Sequence, residues 1–117
     1  MIEELVVKVF STRTAAHLAH WKTKSYAQHV ALGDFYDAII AQIDTIVEAY
    51  QGSFGLIDVG DMNSKIYTDI VKQLEADVVW IAKNRSKIAK DVYALENLID
   101  GLTETYLKTL YKLKNLS

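Results

Sequence analysis

No proline occurs anywhere in the 117 residues, and that absence constrains the fold more than any motif does. Proline breaks helix interiors and ordinarily makes up about 5% of a chain. Long uninterrupted helices therefore meet no obstacle, while collagenous, proline-rich and many turn-dense β designs are excluded. Half of the residues are apolar, ample for one packed core, and the length suits a single domain over residues 1–117. Cysteine is absent too, which excludes a disulfide framework, a thiolate catalyst and any cysteine-held zinc or iron–sulfur cluster. A metal would have to sit on His, Asp or Glu.

Apolar spacing predicts four helices. Helix A, from Ile2 to His20, carries Ile2, Leu5, Val6, Val9, Phe10 and Ala16 on one face, at the three-and-four steps of a helical stripe. Ser25 to Gln28 has the form of a capping box, so helix B is expected from Ser25 to about Tyr50. Its apolar face includes Leu32, Phe35, Ile39, Ile43 and Ile46, and Gly52 is expected to end it. Helix C is expected from Ser64 to Lys83, with Ile66, Ile70, Leu74, Val78 and Ile81 inward. Asn84-Arg85-Ser86 reads as a stop and a new cap, and helix D as Lys87 to Leu113, with Ile88, Val92, Leu95, Ile99, Leu102 and Tyr106 along its seam.

Two of the connections are three residues long, which makes A/B and C/D antiparallel pairs. The stretch from Gly52 to Asn63 holds twelve residues, three of them glycine, together with apolar Phe54, Leu56, Ile57 and Val59. Extended, twelve residues span roughly 40 Å, and a 26-residue helix is about 39 Å long. An all-α, ferritin-like four-helix bundle is expected, with a partly buried crossover between B and C.

Thirteen basic against fifteen acidic side chains leave a formal charge of -2, too little field to favour nucleic acid. Met1-Ile2-Glu3-Glu4 is not the basic start of a leader, and no stretch approaches the ~20 apolar residues of a membrane span. A cytoplasmic protein is the expectation.

The chemistry-bearing residues fall in the first half. His20 is central in the apolar stripe of helix A, and His17 lies one turn earlier at its edge. Such histidines are more often simply packed and hydrogen-bonded than functional. On helix B, however, Asp37, Asp44 and Glu48 stand within about 40° of one another, with Ala41 on the same strip. No lysine or arginine occurs between Ser25 and Tyr50, so the like-charge repulsion of Asp44 and Glu48 has no i,i+4 cation to relieve it. A bound cation would relieve it. With His29 opening the same helix, imidazoles and carboxylates form a donor set suited to iron, manganese or zinc.

The stretch Ala16-His17-Leu18-Ala19-His20-Trp21, followed by His29, Phe35, Asp44 and Glu48, resembles the Dps-type mini-ferritins. There a His-Trp pair ends helix A, a histidine opens helix B, and Asp-x-x-x-Glu follows fifteen residues later. The resemblance implies a ferroxidase-type metal site, with His20 and His29 from one subunit and Asp44 and Glu48 from its partner. His17, Trp21, Asp34 and Asp37 would flank it, and Gly33 stands where the family has a further aspartate. It also implies a homodimer or larger homo-oligomer built through helices A and B. The family's lysine-rich arm is missing, so DNA binding is not expected. The turn Thr23-Lys24-Ser25-Tyr26 is similar to that of small phage-encoded ferritin-like proteins. Two functions follow: metal binding, most directly iron binding and oxidation, or a metal-free helical interaction or phage accessory protein that keeps the fold without the chemistry.

Overall fold

The computed structural model describes residues 1–63 and 67–117 and contains four α-helices: α1 (Ile2–Lys22), α2 (Tyr26–Phe54), α3 (Ile70–Ala89) and α4 (Tyr93–Asn115). At 1.5 Å per residue the 29-residue α2 is about 43 Å long. It spans the long dimension of the 44 × 28 × 22 Å molecule.

The helices pack as a ring in which α1 and α4 each contact both α2 and α3. One face of every helix closes the core: Leu5, Val6 and Val9 of α1, Phe35, Ile39 and Ile43 of α2, Leu74 and Ile81 of α3, and Leu95, Ile99, Leu102 and Tyr106 of α4. Phe35 and Tyr106 meet edge to face at 5.1 Å and 85°, a geometry worth about 0.5–1.5 kcal/mol beyond the area buried.

Helix starts follow side-chain capping. Ser25 Oγ accepts the amide of Gln28 at 3.2 Å, the first half of the expected capping box. The second half is diverted, because Gln28 Oε1 accepts the Thr23 hydroxyl and the Ser25 amide donates to Thr23 Oγ1. Asp69 caps α3 through the Lys72 amide at 3.2 Å. That cap starts the helix later than Ser64; Ser64 and Ile66 lie outside the described residues.

Other boundaries also differ from those expected. Gly52 lies inside α2, which ends instead at Gly55, where φ is +98°. Asn84-Arg85-Ser86 is not a break. Asn84 donates to the Trp80 carbonyl within its own helix, and Arg85 needs its helical position to reach Glu96 and Asp100 of α4. The break falls at Lys90 and Asp91, both left-handed at φ 49° and 66°. Lys90 Nζ donates to the Tyr50 hydroxyl at 2.9 Å and stands over the ring of Phe54, tying the end of α3 to the end of α2. In the connection, Ile57 and Val59 pack on the core as expected, whereas Leu56 is 90% exposed.

Candidate functional site

The three-residue joint between α1 and α2 brings the three histidines into one aromatic cluster. The rings of His20 and His29 stack at 3.6 Å and 19°. His17 stacks on Tyr36 at 4.2 Å and leans on Trp21 at 4.6 Å. The two stacked histidines are cross-stitched to each other's backbone: Nδ1 of His20 lies 2.6 Å from the His29 carbonyl, and Nδ1 of His29 lies 2.9 Å from the His20 carbonyl. A carbonyl only accepts, so each Nδ1 carries a proton, and the neutral tautomer this selects has its lone pair on Nε2.

Gly33 makes the stack fit. A Cβ on Gly33 would stand 3.1 Å from His20 Cε1, closer than carbon atoms normally approach. The missing side chain is therefore the floor on which the His20 ring lies.

The acids of α2 are elsewhere. Asp34, Asp37, Asp44 and Glu48 are all exposed, and Asp44 and Glu48 are about 23 and 29 Å of helix rise from His29. Both line a groove of about 490 Å³ whose walls are Val6, Phe10, Ile43 and Val47 and whose lip is Ile57 and Val59. One copy of the chain thus joins His20 to His29 and Asp44 to Glu48, but not the histidines to the acids. Among the described residues no group of three or more His, Asp or Glu converges on a single ion, and the four acids form no ion pair.

A second polar cluster went unread in the sequence. Asp77 of α3, 5% exposed, accepts hydrogen bonds on one oxygen, Oδ2, from the hydroxyls of Thr12 in α1 and Tyr106 in α4. Gln73 Nε2 donates to Thr12 Oγ1 at 3.3 Å, and Gln73 Oε1 accepts the Tyr67 amide. Burial pushes the Asp77 carboxyl above its ordinary range, against the two hydroxyl donors and Lys8, which pull it down. Burial, and then Asp77, push the Tyr106 phenol well above its usual value. The signal was available: an acid between inward-facing Leu74 and Ile81 needs partners, and so does a tyrosine hydroxyl on a buried seam.

These features define an all-α four-helix domain with a histidine-rich joint at one end and an acidic strip along α2 that forms no ion pair among the described residues. Among the described residues no helix is long and apolar enough to cross a membrane. A family model with the description "Family of unknown function (DUF5856)" matches residues 20–113, and the chain belongs to that family. The match opens on His20 and takes in His29, Asp44, Glu48, Asp77 and Tyr106. No curated protein and no solved structure matches.

Proposed function

We propose that this chain is a metal-binding, Dps-like homo-oligomer of ferritin-like fold, acting on ferrous iron as substrate, with zinc or manganese as competing ions. The observation that carries the reading is the double Nδ1-to-carbonyl anchoring of His20 and His29. Metal-bound histidines characteristically give the other ring N–H to a carbonyl or carboxylate, which fixes the tautomer and presents Nε2. Asp44 and Glu48 of a second copy would complete the donor set, and the ion would supply redox chemistry there. Trp21 and His17 flank the joint, Asp37 lies on the acidic strip, and Asp34 lies one turn before Asp37 on the exposed side of α2. Gly33 brings no carboxylate, so one ion is held firmly and a second weakly or not at all.

The crossover topology belongs to the same reading. The Lys90–Tyr50 hydrogen bond brings the ends of α2 and α3 together, and the large helix interfaces leave α2 and α3 unpaired with each other. Both are what parallel, diagonal helices joined by a chain-length connection require.

The competing reading, a metal-free interaction or phage accessory protein in the cytoplasm, draws on the separation of histidines from acids within one copy. Thermal unfolding with and without ferrous iron or zinc decides between them. Metal should raise the melting temperature of the wild type, and Asp44→Ala with Glu48→Ala should abolish the rise while leaving apo stability equal or higher. A wild type indifferent to both metals overturns the ligand assignment, and the interaction reading replaces it.

A further inference from the structure

Resting on the two-copy site just proposed, we infer that a second copy of this chain docks on the α1/α2 face in one register, set by Arg13 of each copy pairing with Asp37 of the other. Three observations point to it. Arg13 Nε is buried without a hydrogen-bond acceptor, and Arg13 forms no ion pair among the described residues. Left so, a desolvated guanidinium nitrogen costs stability. Arg13 also lines a groove of about 320 Å³ with Phe10, Thr14, Ile40 and Met62, and Phe10, Ile40 and Met62 are each nearly two-fifths exposed. A wet apolar strip with a half-desolvated cation at its centre is an interface lacking its acid. The acid is next door on α2: Asp37 is exposed and, among the described residues, forms no ion pair, on a helix with no lysine or arginine between Ser25 and Tyr50.

The register follows from helix geometry. A twofold that sets α2 antiparallel to its mate and brings His29 level with Asp44 and Glu48 of the partner has its axis near residues 37 and 38. Asp37 then lies beside the axis. On α1 the same level is bracketed by Arg13, which shares a groove with Ile40, and His17, which stacks on Tyr36. Arg13 of one copy therefore faces Asp37 of the other, twice per dimer, because a twofold interface repeats every contact. The pair gives the solvent-facing part of the half-buried Arg13 side chain a carboxylate that it lacks among the described residues and relieves part of the acidic strip, and a register slipped by a helical turn separates them.

Charge reversal tests this on the full chain, by equilibrium sedimentation in chelator. The wild type should associate at micromolar concentration. Arg13→Asp and Asp37→Arg should each raise the dimer dissociation constant at least ~10-fold, and the double reversal should restore association, with helicity by circular dichroism unchanged throughout. A monomeric wild type, single variants that associate normally, or a double reversal no better than the singles overturns the inference. The zinc-induced melting shift of the wild type keeps the two ideas apart. A shift with reversal-insensitive association leaves the metal site standing and removes the register; a rescued double reversal without any shift does the opposite.

Discussion

The backbone of Gly33 lies against the imidazole of His20: a Cβ there would stand 3.1 Å from Cε1 and 3.4 Å from Nδ1. Gly101, in α4, is the contrasting case, with nothing within 4 Å of the corresponding position. Gly101→Ala should therefore gain the helix-propensity difference, about 1 kcal/mol. In Gly33→Ala the same gain is offset by displacement of the ring, so its net effect should be smaller or negative. Urea unfolding of the two variants checks the order, and an equal gain at both positions would mean that the stack yields freely.

Asp77 makes stability depend on pH in a stated direction. Burial raises its native pKa above the ordinary 3.8, so between the two values the native chain holds a proton that the unfolded chain has released. This contribution is complete below the unfolded pKa and is lost as pH rises through the native one. Asp77→Asn keeps an acceptor for Thr12 and Tyr106 but cannot ionise. Its stability relative to wild type should therefore improve between pH 4 and pH 7, and a pH-independent difference would contradict the assignment.

Tyr106→Phe removes one donor to the same carboxyl oxygen. The loss should be about 1.5–3 kcal/mol at neutral pH, the range for a hydrogen bond to a charged group, and smaller at acid pH where Asp77 is neutral. Chemical denaturation at both pH values measures it.

The α3–α4 joint carries two left-handed non-glycine residues. Asp91→Gly should stabilise by about 1 kcal/mol by removing the Cβ clash of that conformation. Lys90→Gly should gain less, because it also loses the hydrogen bond to Tyr50 and the contact with Phe54. Melting temperatures of the two variants give the comparison.

Helix number and the faces that pack were legible because burial imposes the three-and-four spacing directly on the residues; Leu5, Ile39, Leu74 and Ile99 could be read as core before any coordinates. Asn84-Arg85-Ser86 misled because the same polar side chains that serve as a cap can serve a partner helix, and Arg85 reaches across to Asp100 at 2.6 Å. Nothing local distinguishes those two uses. At the histidine joint, the short turn made the closeness of His20 and His29 readable. Their exchanged carbonyl contacts were not, since they depend on ring rotamers and on the space above Gly33.

The Thr12–Asp77–Tyr106 knot acts as an index pin. An apolar seam tolerates a slip of one turn with little loss, but a single carboxyl oxygen that takes hydroxyls from two other helices does not, so α1, α3 and α4 are locked in rotation and height. The described residues place no member of α2 in that knot. The height and rotation of α2 rest instead on its apolar face, Leu32, Phe35, Ile39, Ile43 and Ile46, against α1 and α4, so α2 is the helix whose setting a change in core volume would move first.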